Sequence, residues 1–334
     1  MRPPVFWNFP PDKAGLLARA LAPVAGIVAA VTARRVAGRT STPGYSASVP
    51  VICVGNLNLG GTGKTPTVIA MIERLNQRGT QVHVVSRGYG GRLDGPIQVN
   101  EREHVAADVG DEPLLISAFG PVWVAKDRAA GVRAAEAAGA QAIILDDGFQ
   151  NPSVAKDISI IVVDAGVGFG NGRVVPAGPL REPVAAGMKR ATCVLVIGEP
   201  TQITRFFEVW GAMIPVPVLR GRLAPLRTGM DWQGQRVLAF AGIGRPAKFF
   251  ATLRSLGAEI VQAKALDDHQ PLTEALIKRM EVEAFALNAQ LVTTEKDAVR
   301  LPPSFRTKVL AVPVRLEVED WSEFDDALRQ NNLE

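Results

Sequence analysis

Histidine and cysteine are nearly absent from this chain, and their scarcity removes whole classes of chemistry. Only His83, His104, His269, Cys53 and Cys193 occur in 334 residues. With no Cys-x-x-Cys pair and no Cys/His cluster, a histidine-rich metal centre is excluded. Each cysteine lies in an apolar run that reads as a strand, the setting of a reduced, buried thiol. A strong excess of one charge is missing too. Lys+Arg number 37 against 33 Asp+Glu, a net +4. That is too mild for a nucleic-acid binder and suits a small anionic ligand or an acidic lipid surface. A membrane-spanning run is also lacking. Ala20 to Ala33 is uncharged, but a span needs about 20 apolar residues.

The short apolar run is informative in another way. Leu17, Leu21, Val24, Ile27, Val28 and Val31 recur at helical spacing. Phe6, Trp7 and Phe9 precede them, and Arg34, Arg35 and Arg39 follow. Aromatic and basic flanks around an apolar helix are the pattern of an interfacial anchor, with an ordinary core helix kinked at Pro23 as the alternative. The opening Pro3–Pro11 stretch, with no small-residue cleavage site, argues against a secretory signal.

From Val49 onward, strand, loop and helix alternate. Val49–Val54, Val82–Val85, Ala142–Leu145, Ile158–Val163 and Val194–Ile197 read as strands, with helices at Lys64–Gln77 and Lys126–Ala138. Such alternation predicts an α/β fold with a mostly parallel sheet flanked by helices. Around Pro215–Gly234 the pattern dissolves into Pro, Arg and Gly, which predicts a linker. A second α/β set follows at Val237–Phe240, Leu291–Thr293 and Val309–Val312. The expected division is an N-terminal membrane-associated helix (1–40), a P-loop domain (41–220) and a smaller α/β domain (221–334).

The strongest motif runs from Val54 to Pro66. A strand feeds a glycine-rich turn that opens a helix with Gly63, Lys64 and Thr65. Glycines let successive N–H groups converge on phosphate oxygens, and the helix N-terminus adds positive potential. The predicted nucleotide-binding set is Asn58, Gly60, Gly61, Thr62, Gly63, Lys64 and Thr65. Lys64 would meet the β- and γ-phosphates, and Thr65 would ligate magnesium. Asn58 stands where the pattern has glycine; Asn tolerates positive φ, so the turn survives. Asp146 and Asp147 follow the apolar run Ala142–Leu145. They would sit at a strand's carboxyl end as the Mg2+ element, with either one as the direct ligand. No Asn-Lys-x-Asp guanine reader occurs, and Thr293–Asp297 has the wrong order, which favours ATP. Taken alone, Asp111 reads as a helix cap, His269 as a surface histidine, and Arg87 and Arg181 as solvated charges beside glycine and proline loops.

Several strings together resemble one family. Residues 60–66 (GGTGKTP), 86–91 (SRGYGG), 109–113 (VGDEP), 145–150 (LDDGFQ), 169–183 (FGNGRVVPAGPLREP), 239–246 (AFAGIGRP), 266–269 (LDDH) and 293–302 (TTEKDAVRLP) are similar, in order, to the tetraacyldisaccharide 4'-kinases, the lipid A 4'-kinases of Gram-negative bacteria. The resemblance implies transfer of the γ-phosphoryl of ATP to the 4'-hydroxyl of an acylated glucosamine disaccharide 1-phosphate, giving lipid IVA. It implies a cytoplasmic-face, inner-membrane location through the N-terminal helix, and an active site between two domains. It assigns Lys64 and Thr65 to phosphate and magnesium, and Asp146 and Asp147 to the metal. It makes Asp111 the catalytic base and His269 its partner, and it marks Arg128 and Arg181 as functional arginines. Family members often have histidine after the glutamine matching Gln150; this chain has Asn151. A P-loop switch or metal-delivery NTPase, and a soluble ATP-dependent synthase, are the alternatives. The first lacks its metal tract or guanine reader here, and the N-terminal helix argues against the second.

Overall fold

The computed structural model describes residues 4–37 and 44–331. Strands β1 (Val51–Gly55), β2 (Val82–Ser86), β3 (Ile97–Gln98), β4 (Val122–Val124), β5 (Ala142–Asp146), β6 (Ile158–Asp164), β7 (Cys193–Ile197) and β8 (Val218–Pro225) belong to the first sheet. Strands β9 (Arg236–Ala241), β10 (Glu259–Ala265), β11 (Gln290–Thr294) and β12 (Leu310–Val312) form the second, and β13 (Val314–Val318) returns to the first. Among the described residues the large sheet has the order β13-β8-β7-β6-β1-β5-β2-β4-β3, and the small one β10-β9-β11-β12.

β1, β5 and β6 are buried along their whole length. Their Val/Ile/Leu runs are those of parallel strands covered by helices on both faces. β1 is flanked by β5 and β6, both parallel to it. The chain leaves β1 toward β2 and β5 on one side and later crosses to β6 on the other. The crevice at the carboxyl end of β1 is therefore a topological switch point, where open α/β sheets bind ligands. Cys53 and Cys193 are free and buried, and burial pushes both thiols up to about 12. They are inert core residues.

Two expectations about organisation are corrected. The stretch read as a linker contains β8, in which buried Leu219 and Gly221 alternate with exposed Arg220 and Arg222. Arg, Gly and Pro masked it because one face meets solvent and the strand lies near a sheet edge. The division at 220/221 also fails at the C-terminus. β13 pairs antiparallel with β8, and the last helix, Ser322–Gln330, anchors Asp325 to Arg74 and Arg78 of the helix Lys64–Gln77. The second unit is thus an insertion carrying β9–β12, and the chain ends on the first sheet.

The N-terminal apolar set divides between two faces. Leu21, Ala25, Val28 and Ala29 pack against the core, whereas Leu17, Val24, Ile27 and Val31 stay exposed, Ile27 by 66 %. Pro23 does not kink a helix. The chain breaks at Leu21, and Pro23 falls in the first turn of the helix Ala22–Ala37, where its missing N–H costs little. Arg39 lies outside the described residues. Ahead of the helices, Trp7 and Phe6 are strapped to the loop 168–181. Asn171 Nδ2 donates to the carbonyls of Phe6 (3.1 Å) and Ala177 (2.8 Å), and Trp7 Nε1 donates to the Pro176 carbonyl (3.1 Å). Asn171→Ala leaves buried partners unpaired, so it should cost about 2 kcal/mol. A lowered urea midpoint checks this; an unchanged one means that the strap contributes nothing.

Candidate active site

The loop after β1 is shaped by two left-handed glycines, Gly60 (φ 117°) and Gly63 (φ 100°). Gly63 caps the helix Lys64–Gln77, and that helix starts at the carboxyl edge of the sheet. Asn56, fully buried, braces the loop from inside. Its Nδ2 donates to the Gly60 carbonyl and to Thr62 Oγ1, each at 3.1 Å. Asn58 departs from expectation. It takes no positive φ, it bridges to Leu180, and its amide donates to the Gly168 carbonyl at 3.0 Å. Asn58 therefore holds the loop to segment 168–181 and does not face the cleft.

Opposite the loop, β5 ends in the two acids. Asp146 is 2 % exposed; Ser86 Oγ donates to its Oδ2 at 2.9 Å, while Oδ1 is buried without a partner. Burial, Glu112 and Asp147 push this carboxyl up to about 6. Asp147 has φ 51°, which turns its side chain another way. Arg181 grips it with two bonds of 3.1 Å, and Lys64 Nζ stands 3.6 Å away. Burial raises the Asp147 pKa, but Lys64 and Arg181 outweigh it and hold the carboxyl low. Arg128, also buried, donates to the carbonyls of Ala125 and Asp146 and keeps an unpartnered Nε.

The second unit roofs this floor from two sides. On one, Arg245 Nη1 reaches Asp164 Oδ2 at 2.6 Å, and Lys248 meets the same oxygen. On the other, His269 Nδ1 lies 3.0 Å from Asp111 Oδ2, close in distance but not aligned as a hydrogen bond. Lys296 Nζ lies 2.9 Å from Glu112 Oε1 and 3.3 Å from His269 Nε2. His269 has φ 58°, a left-handed turn that directs the ring across the interface. Burial raises the Asp111 pKa, but His269, Lys296 and Arg300 reverse this and hold it low.

A cleft of about 1920 Å³ runs between the units. Of the predicted residues, Gly60, Gly61, Thr62, Gly63, Lys64, Thr65, Arg87, Arg128, Asp146, Asp147, Arg181 and His269 line it. Asp111, 4 % exposed, stands behind His269 and Glu112, off the cleft wall. Its helix is capped by Gly110, and its Oδ1 takes only the Glu112 amide, so it is not the helix cap it resembled alone. Val31, Arg34 and Arg35 of the N-terminal helix line the same cleft.

Sequence reasoning missed Asn56, Ser86, Asp164 and Lys296. Asn56 stood in plain view inside the glycine motif. Lys296 lay in the segment set aside as a failed guanine reader. Asp164 could have been found as a lone acid closing the buried β6.

A glycine loop opening a helix at a sheet switch point, facing a strand-end acid pair, defines a P-loop nucleotide-binding protein. The comparisons with known proteins narrow this. The family model described as tetraacyldisaccharide-1-P 4'-kinase matches residues 17–332. The tetraacyldisaccharide 4'-kinase of Dinoroseobacter shibae is 61 % identical over 98 % of this chain and 97 % of its own length. That of a Jannaschia species is 58 % identical over 98 % of each. Among solved structures, the crystal structure of "apo" form LpxK from Aquifex aeolicus in complex with ATP covers 95 % of this chain and 99 % of its own, with a TM-score of 0.77 at 23 % identity. The chain belongs to the tetraacyldisaccharide 4'-kinase family. Arg181→Ala removes two charge-assisted hydrogen bonds from Asp147, so kcat/KM should fall by about 10- to 100-fold. Unchanged steady-state rates would show that the grip on Asp147 is dispensable.

Proposed function

We propose that this kinase moves the γ-phosphoryl of ATP to the 4'-hydroxyl of tetraacyldisaccharide 1-phosphate, forming lipid IVA for lipid A, at the cytoplasmic face of the inner membrane. The observation that carries the reading is one continuous cleft. The Gly60–Thr65 loop and the two acids line it, and so do Val31, Arg34 and Arg35 of an apolar helix. A nucleotide site and a lipid-facing helix in a single cleft suit a water-soluble donor and a membrane-held acceptor.

The loop amides and Lys64 bind and neutralise the triphosphate tail. Magnesium fits the residues present. Asp146 keeps one buried carboxylate oxygen without a partner, and Thr65 lines the same wall. Among the described residues no cluster of three His, Cys, Asp or Glu could hold a metal alone. A P-loop magnesium takes one or two protein ligands and completes its shell with phosphate oxygens and water. When bound, it would offset charge on the transferring phosphoryl group. Arg128 and Arg87 supply positive charge along the same wall.

The acceptor hydroxyl loses its proton as its oxygen bonds to phosphorus, and Asp111 takes that proton while His269 orients it. A carboxylate held low is a weak base, but phosphoryl transfer has a loose transition state with little need for a strong one. His269 shields Asp111 from the cleft, so acceptor entry requires the His269 loop to yield. Incubating the full chain with labelled ATP, Mg2+ and acylated disaccharide 1-phosphate should label the lipid. Asp111→Ala and His269→Ala should lower that rate by about 100-fold or more. Near wild-type turnover in both would remove the base–orienter assignment, and an unlabelled lipid with the wild type would remove the function.

At the membrane, the exposed row Leu17, Val24 and Ile27 enters the lipid interface, with Arg34 and Arg35 meeting anionic headgroups. No described helix is long and apolar enough to cross a membrane. Deleting the segment would also strip Ala25 from the core, so substitutions are the cleaner test. The triple variant Leu17→Gln, Val24→Gln, Ile27→Gln should lose vesicle binding by about 100-fold or more. Unchanged co-sedimentation with anionic vesicles would place the lipid contact elsewhere.

A further inference from the structure

The base–orienter pair leaves a question of protons. An imidazole next to a carboxylate can serve as the orienter or as the base itself, depending on which ring nitrogen holds its proton and whether the other is free. In this structure the second nitrogen is not free. Lys296 Nζ stands 3.3 Å from His269 Nε2. An ammonium group has three donors and no acceptor, so that approach requires a lone pair on Nε2. The ring proton must then lie on Nδ1, which is 3.0 Å from Asp111 Oδ2.

We propose that Lys296 is a positioning residue that fixes His269 as the neutral Nδ1–H tautomer, occupies the cleft-facing nitrogen, and so leaves Asp111 as the proton acceptor. This rests on the phosphotransfer reading above. Lys296 is itself steered by Glu112 at 2.9 Å, the residue after Asp111 in the chain. The lysine therefore links both acids of the helix Asp111–Ile116 to the second unit.

Other groups around His269 bear on the same equilibrium. Asp111 favours a proton on Nδ1, and Arg300 Nε approaches the Asp111 oxygen at 3.7 Å from behind. Asp268 Oδ1 lies 3.7 Å from Nε2 and favours a proton there, but it is beyond hydrogen-bond reach and half exposed. Tyr89 presents its ring edge-on at 5.8 Å between centroids. Lys296 is thus the nearest group to Nε2 and the one opposing a second proton. Its own charge is secure: burial lowers its pKa, but Glu112 and Asp111 outweigh this and raise it. The net His269 pKa is raised, led by the contact with Asp111, with Lys296 working against the rise. Removing the lysine removes that opposition and leaves Asp268 as the nearest partner of Nε2. The second proton then binds at higher pH.

The test uses the full chain in detergent micelles, labelled with 15N at histidine. Only His83 and His104 accompany His269, and His269→Gln assigns the signal. At pH above its midpoint the wild-type ring should show Nδ1 protonated and Nε2 bare. In Lys296→Met the Nε2–H form should appear. The His269 midpoint should rise by about one pH unit, the effect of a unit charge at this distance in a water-like dielectric. The acid limb of kcat/KM should move up with it, kcat should fall, and KM for ATP should stay within about twofold. Lys296→Arg, which keeps the charge, should restore most of the tautomer and of the pH limb. An Nε2–H tautomer in the wild type would overturn the proposal, as would an unmoved midpoint in a folded Lys296→Met. If Lys296→Met does not fold, Lys296→Gln takes its place, judged by the same signals. The spectra need no turnover, so the two failures are distinguishable: a wild type that fails to label lipid would sink the functional reading and with it the acceptor role of Asp111, whereas the tautomer set by Lys296 stands or falls on the spectra alone.

Discussion

Two adjacent carboxylates at the end of a buried strand cannot share one environment. Both ionised and both unpartnered, Asp146 and Asp147 would repel each other in a poorly solvated floor. The structure resolves this by a turn of the backbone. Asp147, at φ 51°, swings to Lys64 and Arg181 and is neutralised by them. Asp146 stays in line with β5, accepts one hydroxyl from Ser86 and keeps its second oxygen empty. One acid is thereby ion-paired, and the other keeps an unpartnered oxygen. Arg181 must come from a distant loop to make this work, so the loop must be tied down. It is: Leu59 N donates to the Pro179 carbonyl at 2.7 Å, and Arg181 N to that of Leu57 at 2.7 Å. Gln150 bridges the Asn56 carbonyl and Glu182. The phosphate loop and the Arg181 loop are one hydrogen-bonded body.

The legible part of this arrangement was local. A valine-rich strand, a glycine turn and Lys-Thr at a helix start lie within a dozen consecutive residues, and each element's period and chemistry agree. The same holds for Ala142–Asp147. The less legible part was long-range. Glu112 meets Lys296 across 184 positions, and Arg245 meets Asp164 across 81; no spacing rule connects such pairs. β8 was hidden by its composition, and β13 by its short run after Pro313. Family resemblance brought Asp111 and His269 together where periodicity could not. It did not predict that Asp111 stands behind the histidine. Asn58 was placed correctly in the loop but for the wrong reason: its side chain, not its tolerance of positive φ, is what the fold uses.

The second unit acts through the same logic of charge. It touches the floor by ion contacts at two edges, Arg245 and Lys248 on Asp164, and His269 with Lys296 on Asp111 and Glu112. Between them the cleft stays open, and the loop carrying Gly244 faces the amide of Gly61, which a Cβ there would approach to 3.9 Å. Polar, partly exposed contacts of this kind hold two bodies in register without the cost of parting a hydrophobic interface. That suits a site that must admit a large acylated acceptor and release it phosphorylated.

On the proposed reading, a soluble nucleotide and a membrane-held sugar must also meet at a fixed height above the lipid. An anchor joined to the catalytic floor by a loose tether would leave that height to chance. Here the residues leading into the N-terminal helices are strapped to the floor itself. Trp7 and Phe6 are bonded to segment 171–176, and the same loop continues through Leu180 to the bridge with Asn58 and to the grip of Arg181 on Asp147. Leu21 and, in the helix Ala22–Ala37, Ala25 and Val28 add a separate hold. The N-terminal helices and the phosphate loop are therefore joined by one chain of contacts, and Arg34 and Arg35 line the cleft that holds the acids. The glycine- and proline-rich loop 168–181 sits at the centre of that path. Its dense turns let one short segment bind the anchor on one side and the phosphate loop on the other.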